Sequence, residues 1–145
     1  MDKLIELMKG LLADTFALYL KAQYYHWNVE GPDFYQYHEF FGDFYGSVYG
    51  NIDKLAEEIR SLDAYAPGSL ERFVELSSIK GEEDVIPAME MLARLKQDND
   101  RYLVVLDQTF RAAEEANQVG LANYLQDLID EHNKHRWMLK AFAKG

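Results

Sequence analysis

Apolar residues recur at intervals of three and four along the first part of the chain: Leu4, Ile5, Met8, Leu11, Leu12, Phe16 and Tyr19. That spacing is one face of an α-helix, and Gly31 and Pro32 predict its end near Asn28. A second run starts near Asp33 and carries Phe34, Tyr37, Phe41, Phe44, Val48, Ile52, Leu55, Ile59 and Leu62. It predicts one uninterrupted helix that stops before Pro67 and Gly68. Residues 66 to 86 mix polar and apolar positions without a clear period, with a short helix expected between Leu70 and Ser78. Pro87 suits the first turn of a third helix, which carries Met91, Leu92, Leu95, Tyr102, Leu103, Leu106, Phe110 and Ala113. Gly120 is expected to mark the break before a fourth helix with Leu121, Leu125, Leu128, His132, His135, Leu139 and Phe142. No alternating strand pattern appears. Two helices, a long connector and two more helices predict a bundle of two antiparallel hairpins joined by a crossover.

Length and composition narrow the class. The chain has 145 residues, 48% hydrophobic and 28% charged, with 3 Pro and 9 Gly. It is expected to form one domain over residues 1–145, all-α, with a sizeable core. It has no Cys, which excludes disulfides, thiolate nucleophiles and zinc–thiolate sites. With no apolar run behind a basic start and no stretch of about 18 apolar residues, neither a signal peptide nor a membrane span is expected, and a cytoplasmic location is. The formal net charge is -10. Nucleic-acid binders carry clustered basic surfaces, so this balance argues against that role. It suits attraction of metal cations, and it equally suits solubility.

The residues that carry chemistry are His26, His38, Asp53 and Glu57. Imidazole and carboxylate together suit iron, manganese or zinc. Asp53 and Glu57 are four apart, on one face of a helix; such pairs are also common on solvated faces. Both histidines lie among aromatics, and two packed histidines with backbone partners would satisfy the same pattern. Geometry sharpens the choice. His38 and Asp53 are fifteen positions apart on one predicted helix, roughly 22 Å at the helical rise, whereas ligands of one ion lie within about 2.2 Å of it. They cannot hold one ion within a single chain. Two copies of the helix, antiparallel about a two-fold axis near Tyr45 and Gly46, would bring position 38 of one to position 53 of the other. Gly42, Gly46 and Gly50 fall at intervals of four around that midpoint. Each costs the helix roughly 1 kcal/mol relative to Ala, so close approach is expected there, of a neighbouring helix or within the subunit.

Nearly the whole chain resembles the Dps family, the small dodecameric relatives of ferritin. The densest part runs His26-Trp27-Asn28-Val29-Glu30-Gly31-Pro32, then Phe34, His38-Glu39 and Asp53-Lys54-Leu55-Ala56-Glu57-Glu58-Ile59-Arg60; Lys134-His135-Arg136-Trp137-Met138-Leu139 adds to it. The resemblance implies a ferritin-like four-helix bundle with a short helix in the long connector. It also implies a ferroxidase centre between subunits, with His26 and His38 from one chain and Asp53 and Glu57 from its two-fold partner. Such a centre oxidises Fe(II) with hydrogen peroxide, or less efficiently dioxygen, and ferric mineral collects in a hollow homo-oligomer of twelve chains. The resemblance further implies Trp27 beside the site, trapping stray oxidising equivalents; core filling is the other role open to it. Two departures stand out. Many family members have an Asp four residues after the second histidine, where this chain has Gly42. Many have an Asp lining an entry pore near the start of the last helix, where this chain has Asn123, with Asp127, Asp130 and Glu131 as alternatives.

His132 and His135 fall on the apolar stripe of the fourth helix and are expected in the core or beside a pore rather than on a metal. Three other functions compete. A DNA-protecting member of the family would carry a basic tail, and the C-terminus offers only Lys140 and Lys144, so strong DNA binding is not expected. A non-catalytic metal-binding shell protein would keep the scaffold without turnover. A monomeric di-iron oxygenase would carry Glu-x-x-His pairs, and the chain has none.

Overall fold

The structure is a computed structural model and describes residues 1–144. Six helices account for most of them: α1 (Asp2–Asn28), α2 (Phe34–Tyr49), α3 (Ile52–Ser61), α4 (Leu70–Leu76), α5 (Ala88–Glu115) and α6 (Val119–Phe142). No strand occurs among the described residues. α1 lies against α2, α3, α4 and α5, and α5 lies against α6. The core is the meeting line of the apolar stripes: Leu4, Met8, Leu11 and Leu18 of α1 face Phe41, Phe44 and Val48 of α2, Leu55 and Ile59 of α3, Leu95 and Leu106 of α5, and Leu125 and Leu128 of α6, all buried. Each such side chain contributes about 1.5–3 kcal/mol by leaving water.

The expected second helix is present but broken. α2 and α3 are separated by Gly50 and Asn51. Gly is a weak helix former, and an Asn side chain competes for nearby backbone groups. Both effects act here. The Asn51 amide bonds to the Val48 carbonyl at 3.1 Å, one residue short of the α-helical pattern. The Ser47 carbonyl accepts instead from Asn51 Nδ2 at 3.1 Å. The helical ladder then resumes, with Leu55 N bonded to Asn51 O.

The last joint also differs from expectation. Gly120 sits in the first turn of α6, and the reversal is made at Ala116–Gln118, where Asn117 takes the left-handed conformation at φ 59°. Asn tolerates that region better than most residues. Asp63 does the same, at φ 62°, after α3. The short connector helix ends at Leu76 rather than Ser78. Its Ser69 accepts from the Arg72 amide at 3.1 Å, an N-cap.

Side chains from α1 pin the connector. Asp14, 2% exposed, accepts from Ser77 Oγ at 2.8 Å, Ser78 N at 2.6 Å and Ser78 Oγ at 2.9 Å. Lys21 donates to the Lys80 carbonyl at 2.9 Å and pairs with Asp98 of α5 at 2.8 Å. Tyr25 donates to Glu82 at 2.9 Å, and Arg94 meets the same carboxylate oxygen at 2.7 Å. Burial alone would raise the Glu82 carboxyl, but these two donors hold it below its ordinary value. No helix among the described residues is long and apolar enough to cross a membrane.

Candidate functional site

His26 closes α1 and His38 lies in the second turn of α2, so the tight turn at Gly31 (φ 115°) brings the two rings face to face. Their centroids are 3.7 Å apart and nearly parallel, at 15°. Each ring is held by the other's backbone. His26 Nδ1 donates to the His38 carbonyl at 2.6 Å, and His38 Nδ1 donates to the His26 carbonyl at 2.7 Å. A carbonyl oxygen only accepts, so Nδ1 carries a proton in both rings, and the neutral form of each ring has its lone pair on Nε2. Ligating histidines are commonly oriented this way, through the second ring nitrogen. Phe34 stacks on His38 at 5.0 Å, and Tyr45 meets His26 edge-on at 5.3 Å.

The pairing explains Gly42. A Cβ there would lie 3.0 Å from His26 Cε1 and 3.1 Å from Nδ1, tighter than real contacts allow without a shift of the ring. At Gly46 an added Cβ would meet nothing within 4 Å, and at Gly50 only backbone carbonyls at 3.5 and 3.6 Å. Close packing within the chain therefore accounts for Gly42 but not for Gly46.

Asp53 and Glu57 are exposed on α3, beyond the break. The chain does not bring them to its own histidines: among the described residues no group of three or more His, Asp or Glu side chains lies close enough together to hold a metal ion. Trp27 does not fill the core. It is 62% exposed and lies at the edge of an apolar groove between α1, α4 and the connector, with Leu20, Phe73 and Val74. Asn123, Asp127 and Asp130 are exposed on α6.

His132 and His135 are buried and committed to the core. His132 Nδ1 donates to Asn99 Oδ1 at 2.7 Å, while Asn99 Nδ2 donates to the His132 carbonyl at 3.0 Å. Burial, with His135 as neighbour, holds His132 well below the ordinary histidine value. Burial also lowers His135, against the opposing pull of Glu131 and with a small push from Lys134.

Sequence reasoning missed the polar brace at the helix break. Glu131 of α6 accepts from Ser47 Oγ through one carboxylate oxygen and from Asn51 Nδ2, at 3.1 Å, through the other. Tyr124 donates to Asn51 Oδ1 at 2.7 Å. Gly50-Asn51, two poor helix formers in the middle of a long apolar period, was the available signal.

Two helical hairpins with a crossover that carries a short helix define a ferritin-like bundle. The ferritin-like domain family matches residues 5–144. The DNA protection during starvation protein of Brevibacillus brevis is 33% identical over 95% of this chain and 93% of its own length. A low temperature-induced protein of Nostoc sp. is 36% identical over 97% of this chain and 80% of its own. Among solved structures, antigen TpF1 from Treponema pallidum superposes with a TM-score of 0.95 at 32% identity, covering 99% of this chain and 93% of that one. The Dps protein from Vibrio cholerae, described as a member of a broad superfamily of ferritin-like diiron-carboxylate proteins, superposes at 0.93 with 29% identity, covering 97% and 89%. The chain belongs to the Dps family of ferritin-like proteins.

Proposed function

We propose that this protein binds Fe(II) at a site shared between two subunits, oxidises it with hydrogen peroxide or dioxygen, and stores the ferric product inside a hollow shell of twelve chains. The observation that carries the reading is the reciprocal histidine clamp, which commits both Nδ1 atoms to backbone and leaves Nε2 of each stacked ring for a metal, with no carboxylate among the described residues grouped with them. Asp53 and Glu57 of a two-fold partner would supply the hard oxygen ligands that iron needs alongside imidazole. The open Gly46 surface on α2 leaves room for that partner helix. Similarity to a DNA protection during starvation protein and to a ferritin-like diiron-carboxylate protein supports iron chemistry and protection as the setting.

The residues' part in the reaction is positional and electrostatic. Two neutral imidazoles and two carboxylates offset the charge of the incoming Fe(II), and four protein ligands leave positions where oxidant reaches the metal. Full reduction of one hydrogen peroxide to two waters takes two electrons, from two Fe(II) ions, and two protons from solvent; a lone one-electron transfer would release hydroxyl radical. The Asp53→Asn, Glu57→Gln double variant tests the assignment. It should lose most peroxide-dependent iron oxidation, followed by ferric absorbance, with helix content by circular dichroism unchanged. Oxidation at the wild-type rate would place the site elsewhere.

A further inference from the structure

The brace across the helix break points to a positioning role that rests on the iron-site reading above. We infer that Asn51, held by Glu131 and Tyr124, sets the angle between α2 and α3 and thereby aims Asp53 and Glu57 at the histidines of the partner chain.

Three observations converge on Asn51. It sits at the break, and its side chain replaces the backbone donor that the Ser47 carbonyl has lost there. The same amide nitrogen reaches Glu131, while its amide oxygen accepts from Tyr124. Both of these partners lie on α6, which meets α2 directly through Phe40–Phe142 and Phe44–His135. All of its hydrogen-bonding groups are therefore committed to fixing one bend. Glu131 in turn fastens Ser47, four residues earlier, so both sides of the break are tied to α6.

The lever arms show what the bend controls. Glu57 is six residues past Asn51, about 9 Å along the helix, and Asp53 is two residues past, about 3 Å. A swing of about 10° at the break moves the Glu57 backbone by roughly 1.6 Å and the Asp53 backbone by roughly 0.5 Å. Metal–ligand distances tolerate about 0.2 Å. The histidines are fixed by their own clamp before the break, and the carboxylates hang beyond it, so the angle is the coordinate on which the shared site depends. Leu55 and Ile59 bury the inner face of α3 and share in holding it; the brace adds the directional contacts at the break itself.

The test uses Co(II) as probe on the assembled apo-protein, reading affinity and the visible ligand-field spectrum, with shell size by light scattering. Asn51→Asp sets a carboxylate against Glu131 and should weaken Co(II) binding at least tenfold and change the spectrum. Adding Glu131→Gln restores a donor–acceptor pair to α6 at the same net charge, though not the bond to the Ser47 carbonyl, and should recover most of the lost affinity. Tyr124→Phe removes only the hydroxyl and should weaken binding about threefold, which keeps a mild variant in hand if Asn51→Asp fails to assemble. Wild-type Co(II) binding by either single variant overturns the inference, as does a defect in Asn51→Asp that Glu131→Gln does not repair. Asp53→Asn with Glu57→Gln separates the two claims. If that variant loses Co(II) while Asn51→Asp does not, the brace is wrong and the site stands. If it binds Co(II) normally, the site reading and the inference fall together.

Discussion

His132 carries the clearest acid sensitivity in the chain. Its ring is 1% exposed, and burial favours the neutral form. In the unfolded chain a histidine takes up a proton near pH 6.5. Below that pH the unfolded state binds more protons than the folded one, so stability falls as pH falls and is fully present above it. His135, also lowered, acts in the same direction. The melting temperature should therefore drop between pH 7.5 and pH 5.5. His132→Gln should melt lower at pH 7.5 but lose less on acidification; an equal loss would assign the effect to other groups. Gly42 offers a second test at this scale. Gly42→Ala should push the His26 ring by a few tenths of an ångström, leave folding intact and slow iron oxidation severalfold. Unchanged oxidation would show that the ring position is not critical.

The elements of the bundle were largely legible in the sequence, because long helices with a three–four apolar period bury one face and leave the other polar. α1, α5 and α6 follow the expected runs closely. The α2–α3 break was not read, since the apolar period from Phe34 to Leu62 continues across it while the hydrogen bonds change at Gly50 and Asn51. The histidine pair was named from residue type, but its reciprocal clamp depends on the turn at Gly31 and is visible only in three dimensions. The hold of Asp14 on the connector was likewise invisible, because its partners Ser77 and Ser78 lie more than sixty positions away. Asp14→Ala should cost about 1.5–3 kcal/mol, the range for hydrogen bonds to a charged group, and should speed amide exchange at Ser78. Exchange at the wild-type rate would refute that hold. Gly46 separates two scales. In an isolated helix Gly46→Ala should stabilise by about 0.5–1 kcal/mol. If a partner helix lies against it, the same change should weaken assembly, read as dissociation at lower protein concentration.

At the scale of the whole molecule, the surface carries side chains that a lone chain has no reason to expose. Trp27 and Trp137 are 62% and 64% exposed, and Phe34 and Tyr49 of α2 are exposed too. A shell that covers these tryptophans would shift their fluorescence to shorter wavelength on assembly. The central claim is that one iron site takes its histidines from one chain and its carboxylates from another, and subunit mixing tests it most directly. One variant carries His26→Ala and His38→Ala, the other Asp53→Ala and Glu57→Ala. Each alone should be nearly inactive, since every site lacks half its ligands. Dissociated, mixed in equal amounts and reassembled, about half of the two-fold pairs should be mixed, each with one complete site and one empty one, by the statistics of an isologous interface. Roughly a quarter of wild-type iron oxidation should return. Activity that stays at the parental background, with mixed shells confirmed by mass spectrometry, would contradict the shared site.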